Sequence, residues 1–390
     1  MKKMKHLFSL LLLLVCVQAY SATDGSGVPE GDTNYFYIEE GCTVQPGGAR
    51  TNYAVSFVGT DYFTAYNIVF NYPEGIKIDM ISEGNPRATI YKGTGSPYPY
   101  TMEEVEDEET GDWVQQKVYT HAVYSNVVGN TLRLGCFSTL NADFTATEGR
   151  LFRVYFTASP YVKPGPLPIA FTEQKFVKSD ETAKVPTNYT STAITVGTTG
   201  TITLNVSAAN KFGTCILPFD AAIPEGLKVY SCSSVDGDCL VLTEQQSFAA
   251  YTPYILYAEN GCTATLTGEV DATKYQEVVT DGYISGTVVT TSVEGGAGNY
   301  VMQNKGDGPM FYKVGDTPFS LAPGKCWLTI PNAQQSALSF RFQEGTTGIG
   351  SIATDDAAHT IYDLNGRVVT NMLPGKLYIQ GGKKVWGTGK

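Results

Sequence analysis

The side chains of this sequence that could do chemistry are a set of thiols, two imidazoles, one dense run of carboxylates and a generous supply of phenols. Beyond residue 21 lie seven cysteines (Cys42, Cys136, Cys215, Cys232, Cys239, Cys262 and Cys326) and two histidines, His121 and His359. No two cysteines stand as Cys-x-x-Cys, so a zinc site is not indicated. The odd number leaves at least one thiol free or bridging between chains. Cys232 and Cys239 flank SSVDGD, and a disulfide is expected there if a hairpin brings them face to face; Cys42 with Cys136 is a second pairing considered. A nucleophile–imidazole–acid triad needs a usable histidine. His121 sits in the strand-like VYTHAVYS and is expected to be partly exposed, and His359 sits where the linker meets the tail. There is no Gly-x-Ser-x-Gly and no phosphate-cradling glycine loop. No two carboxylates single themselves out as a glycosidase pair. The sequence therefore points to no catalytic residue, no metal and no cofactor.

The acidic run EEVEDEETGD, 103–112, reads as a solvated surface loop, since it lacks the Asp-x-Asp-x-Asp-Gly spacing of a calcium loop. Tyrosine outnumbers phenylalanine, 25 to 18. A phenol has a flat apolar face and a polar edge, which suits sugar stacking and protein interfaces alike. Tyr62 in DYFTAY and Tyr98 and Tyr100 in SPYPYT are the candidate ligand contacts, the latter two on a loop stiffened by proline. Tyr66 shares the core-facing register.

The elements that must position these residues are strands. Tyr53, Val55 and Phe57 alternate with polar neighbours, as do Tyr66, Ile68 and Phe70, and Phe152, Val154 and Phe156. Glycines and prolines interrupt such segments at the short intervals of a sandwich or barrel. The best helical stretch is a turn or two near 102–105. The fold class is all-β. NYPEGIKI (71–78) and AIPEGLKV (222–229) repeat Pro-Glu-Gly before an apolar-Lys-apolar triplet. Proline suits the second position of a turn and glycine supplies a positive φ, so both read as tight turns launching strands. Their flanks differ, which argues for a shared turn device and against a duplication.

Lys2, Lys3 and Lys5 precede an apolar run over 7–17 and then QAYSATDG. This is a secretory signal peptide over 1–21, cut after Ser21 or Ala19, because about 11 apolar residues cannot span a bilayer. Val15 stands where a lipobox before Cys16 would place a small residue, so a lipid anchor is not indicated. No later stretch is long and apolar enough to be a transmembrane segment. Net charge is −11; without the three leader lysines, 24 basic residues face 38 acidic ones, giving −14. Such a surface repels phosphate backbones and argues against nucleic acid. The expected domains are 30–197, a β-rich 198–343, a small polar linker over 344–358, and a short β-hairpin tail over 359–390. In the tail, Asn365-Gly366 between IYDL and RVV signals a hairpin.

Three pieces of the first domain (TVQPGGARTNYAVSFVG, YNIVFNYPEGIKI and LRLGCFSTLNADFTATEGRLFRVYFTA) resemble the cohesin-like β-sandwich of bacterial cell-surface and cellulosome proteins. That resemblance implies a jelly-roll related to some carbohydrate-binding modules, and non-catalytic binding, usually of a dockerin helix pair. The acidic insert over 103–112 and the GSPYPYT loop depart from the family pattern. The second domain, with GTCILPFDAAIPEGLKVYSC and LAPGKCWLTIP, resembles a module found beside surface domains of Gram-negative anaerobes. The tail IYDLNGRVV…LPGKLYIQGGKKV is similar to the end of a type IX secretion sorting domain, which implies attachment at the outer-membrane surface. The expected function is thus a secreted or cell-surface, non-catalytic binding protein whose partner is a surface protein (recognition or adhesion); a carbohydrate-binding module capturing a glycan is the alternative, and a ligand-free spacer a third reading. A flat sheet face with few charges would favour the first, and two or three coplanar exposed aromatics in a row the second.

Overall fold

The alternating segments are strands, and they pair into two stacked sheets in the first half of the chain. The structure, a computed structural model, describes residues 28–342 except 108, 110, 297, 307 and 332–334, together with 361–363, 367–369, 376–380 and 383–386. The signal peptide, the linker, His359 and Asn365-Gly366 lie outside the described residues. Among those described, the one helical element is a single 3-10 turn, Ala272–Lys274. The strands to Val196 are β1 (Tyr35–Ile38), β2 (Cys42–Val44), β3 (Thr51–Val58), β4 (Ala65–Asn71), β5 (Ile76–Ile78), β6 (Met80–Ser82), β7 (Asn85–Pro86), β8 (Ala88–Ile90), β9 (Tyr100–Glu106), β10 (Trp113–Tyr119), β11 (His121–Val128), β12 (Thr131–Ser138), β13 (Glu148–Ala158), β14 (Gly165–Val177), β15 (Ala183–Lys184) and β16 (Tyr189–Val196).

One sheet runs β1-β3-β13-β5, with β8 also on β13; the other runs β11-β12-β4-β14-β16-β2, with β15 on β14. Tyr53, Val55 and Phe57 on β3, Tyr66, Ile68 and Phe70 on β4, and Phe152, Val154 and Phe156 on β13 are all buried between them. The core is strongly aromatic. Phe36 stacks on Phe176 with ring centres 4.1 Å apart, and Phe63 stacks on the same ring at 4.5 Å. Each fully buried aromatic of this kind contributes roughly 2–3 kcal/mol by leaving water.

The strands of Thr199–Val206 onward form sheets of their own. A ten-stranded sheet runs from Phe212–Ile216 at one edge to Val278–Asp281 at the other, and Thr199–Val206 pairs with Cys262–Glu269 in a separate ribbon. Among the described residues no sheet mixes strands from before and after Val196. The chain up to Arg341 is nevertheless one compact unit, and a second begins at Phe342. Several contacts join the two β regions of the first unit. The Thr201 amide donates to the Pro46 carbonyl at 2.9 Å, the Thr199 amide to Gln45 Oε1 at 3.1 Å, and Tyr161 packs into the cores beyond Thr199. A Cβ on Gly47 would overlap the Thr201 carbonyl, and one on Gly324 would overlap the Tyr161 phenol. In the tail the described residues form a four-stranded sheet rather than a hairpin alone: Ile361–Tyr362 lies between Val368–Val369 and Leu377–Gln380, which pairs with Lys383–Trp386.

The two Pro-Glu-Gly stretches are turns, with one correction. The Ile76 amide donates to the Pro73 carbonyl and the Leu227 amide to the Pro224 carbonyl, so proline is the first residue of each turn, not the second. Gly75 (φ +88°) and Gly226 (φ +80°) then occupy the third position, where a positive φ is required. The triplets that follow alternate as expected: Ile76 and Ile78 are buried around exposed Lys77, and Leu227 and Val229 around exposed Lys228.

The acidic run is loop only in its second half, whose described residues Asp107, Glu109, Gly111 and Asp112 join two strands; Glu103–Glu106 is strand, and 102–105 is not helical. Residues 102–106 belong to a two-stranded ribbon in which β9 pairs with β10 from Tyr100–Tyr119 out to Glu106–Trp113. The sequences YTMEEVE and WVQQKVY are rich in strand-favouring residues, and cross-strand pairing overrides the weak helical preference of the glutamates. Nearly every residue of the ribbon is exposed. A free hairpin is marginal in water, so this one depends on its base, where the Tyr119 phenol donates to the Lys92 carbonyl at 2.9 Å.

Candidate functional site

The three tyrosines singled out in the sequence part company. Tyr98 is corrected from a ligand contact to a core residue, only 2% exposed. Its phenol donates to the Leu151 carbonyl and meets the Tyr66 phenol, both at 2.9 Å, and its ring stands edge-on to Phe144. Burial pushes its pKa well above the usual phenol value. The prolines around it do stiffen the segment, but they aim Tyr98 inward, where it fastens the foot of the ribbon. Tyr100 is exposed at that foot, with its ring partly covered by the Lys117 ammonium 4.2 Å from the ring centre. Tyr62 is exposed alone on the β3–β4 connection. The structure does not bring the three together.

His121 is buried rather than partly exposed. Its Nε2 lies 3.0 Å from the Thr64 carbonyl, to which it donates, and its Nδ1 lies 3.0 Å from the Thr120 hydroxyl. The rings of Tyr98 and Phe144 flank it. Burial lowers its pKa, outweighing the Thr64 bond and the Asp143 charge that act the other way. It is a packed, neutral core imidazole.

The expected Cys232–Cys239 disulfide is also corrected. The hairpin turns tightly at Gly237, so Cys239 sits opposite Asp236 while Cys232 sits opposite Leu242. Cys42 and Cys136 are on β2 and β12 of one sheet with three strands between them, on the order of 19 Å at the usual strand spacing. All seven described cysteines are free. Burial raises the pKa of Cys136 and of Cys326 to about 12 and that of Cys232 to about 11, which leaves those thiols inert. Among the described residues no cluster of His, Cys, Asp or Glu could hold a metal.

What the sequence reading missed lies on the outer face of the seven-stranded sheet. On β11, Tyr124, Asn126 and Val128 point outward, and Tyr124 lies opposite Gly135 of β12. Phe137, opposite Ala122, is the diagonal neighbour of Tyr124 on this face. The two rings stack with centres 5.0 Å apart and planes 2° from parallel. Tyr124 remains 58% exposed and Phe137 46%. Beyond them the face continues through Asn67 and Asn71 on β4 to Glu173 and Lys175 on β14. Arg133, Glu173 and Lys175 are its charges across those four strands, and β11 itself carries none among eight residues. A signal was available: HAVYSNVV alternates, and its outward set includes an aromatic and a valine with no charge between them.

No protein-family model matches this sequence, and no curated protein matches it. Among solved structures the chain is similar to the cohesin module of a family 33 glycoside hydrolase from Clostridium perfringens, with 12% identity over 42% of this chain and 96% of that one and a TM-score of 0.29. It is similar to a non-cellulosomal cohesin of the hyperthermophilic archaeon Archaeoglobus fulgidus, with 18% identity over 41% and 90% of the two chains and a TM-score of 0.26. It is also similar to BcpA, the major pilin subunit of Bacillus cereus, with 10% identity over 80% and 70% and a TM-score of 0.27. Such identities speak at most to fold and carry nothing about activity or partner. No helix among the described residues is long and apolar enough to cross a membrane.

Proposed function

We propose that this chain is an exported, non-catalytic recognition protein, and that its first β region, 30–197, docks a partner protein on the outer face of the seven-stranded sheet. In this reading 198–343 is a second β domain, 344–358 a linker, and the tail over 359–390 holds the chain at the outer-membrane surface. The observation that carries the proposal is the exposed, mutually stacked Tyr124–Phe137 pair on a face with few charges. Covering the two rings is worth roughly 2–4 kcal/mol, the scale of an interface hot spot. The arrangement favours protein over glycan at this face. A sugar platform needs ring faces left open side by side, whereas these two rings stack on each other and Lys117 covers the ring of Tyr100.

The test places a photo-crosslinking phenylalanine analogue at Tyr124 and, as a control, at exposed Tyr283. Crosslinks are sought both to envelope proteins of the producing cell and to a panel of dockerin modules, the partners seen in solved cohesin complexes such as that of Clostridium thermocellum OlpA. A discrete adduct is expected from position 124, absent from position 283 and lost when Phe137→Glu is added. Equal labelling from both positions, or labelling indifferent to Phe137→Glu, rejects this face.

A further inference from the structure

A cleft lies where the two β regions of the first unit meet, with no lining residue on β11 or β12, which carry Tyr124 and Phe137. One wall is the first Pro-Glu-Gly turn with the 159–164 connection and the start of β14; the other is Tyr275, 288–290 and Pro323. Its volume is about 630 Å³, inside the ~300–1,000 Å³ typical of small-ligand sites. Its walls are fixed. Gly75 is packed against Val162, Tyr161 is wedged against Gly324, and the prolines at 73, 164, 166, 168 and 323 have little backbone freedom. A ligand entering it would pay little for ordering the protein.

Two charges stand over an otherwise apolar surface. The Lys163 ammonium is 5.7 Å from the centre of the Tyr275 ring, and no carboxylate among the described residues lies within ion-pairing distance of it. Glu74 accepts the Thr290 amide at 3.4 Å through Oε1, and its other oxygen has no donor among the described residues. Burial first, and then the carboxylates of Glu277 and Glu74, raise the Tyr275 pKa, so its phenol keeps its proton and remains a donor.

We propose that this cleft binds an anionic saccharide, a short chain of uronic-acid units. Its carboxylate meets Lys163, its hydroxyls donate to Glu74, and its C–H faces lie on the prolines, Val289 and the Tyr275 ring. A neutral sugar would leave Lys163 without its counter-charge, and a hydrocarbon acid would give Glu74 no donor. An acidic peptide would seek backbone amides to bind its carbonyls, and the proline-lined walls offer few, since proline has no N–H. The site shares no residue with the Tyr124–Phe137 pair and stands or falls independently of protein docking there.

The test is calorimetric titration of the full chain with trigalacturonate, trimannuronate, maltotriose and a hexa-aspartate peptide. At least one uronate trimer is expected to bind at millimolar concentration or below, with maltotriose about tenfold weaker or worse. Lys163→Gln should cost about tenfold or more and Glu74→Gln less. Lys305→Gln, which changes an exposed lysine elsewhere, should cost nothing. Tyr124→Ala with Phe137→Ala should leave this binding intact even if it abolishes protein capture. Failure of both uronate trimers to bind, binding unchanged in Lys163→Gln, or tighter binding of hexa-aspartate each overturns the proposal.

Discussion

The two Pro-Glu-Gly turns share a sequence, a hydrogen bond and a positive-φ glycine, yet their surroundings differ. A Cβ on Gly75 would overlap Val162 Cγ2, while one on Gly226 would meet nothing within 4 Å. Glu74 accepts a backbone amide from a residue 216 positions away. The first turn is therefore a structural part of the junction between the β regions, and the second is a surface reversal. Local chemistry makes a turn; distant chain decides what the turn is for.

Substitution at the two glycines should produce the largest separation. Both Gly→Ala changes incur the left-handed backbone penalty of about 1–2 kcal/mol. Gly75→Ala also overpacks against Val162 and should cost about 2–4 kcal/mol in all. Urea unfolding would measure both, and Val162→Ala should recover part of the loss at 75 and none at 226; equal losses at the two glycines would break the comparison. A smaller effect is expected one residue earlier. Glu74→Gln should destabilise by about 0.5 kcal/mol through the weakened Thr290 bond, with Glu225→Gln near zero.

The smallest expected effect is a pH dependence confined to the first β region. His121 has its pKa lowered in the folded protein, so the unfolded chain binds more protons as pH falls through the ordinary histidine range. The contribution of His121 is thus complete above about pH 7 and lost progressively below about pH 6.5. Thermal unfolding from pH 7 to pH 5 should show a downward slope that is flatter in His121→Gln; parallel profiles would mean that the imidazole is not held neutral.

Much of the fold was readable because strand burial obeys a period of two. Tyr53–Val55–Phe57 and Tyr66–Ile68–Phe70 face inward as their spacing requires, and the glycines of both Pro-Glu-Gly turns carry the positive φ their type suggests. The site was less legible. Tyr98 reads as an exposed loop aromatic because its neighbours are Ser, Pro and Gly, but the core cavity that receives it is built by Tyr66, Cys136, Phe144 and Leu151. Glu103–Glu106 reads as loop because its partner strand begins only after the turn. Cys232 and Cys239 look paired by spacing, but the register of a two-residue turn separates them.

By itself the sequence determined the all-β class, the turn positions and which side chains of each strand share a face, because steric limits on φ and ψ and the alternation of side chains act over a few residues. Only the tertiary structure decided which of those faces is covered. Tyr124 and Phe137 stay in solvent, Tyr98 does not, and the prolines of 159–168 become one wall of a cleft. Coverage is set by neighbours tens to hundreds of residues away, and no local pattern records where they will lie.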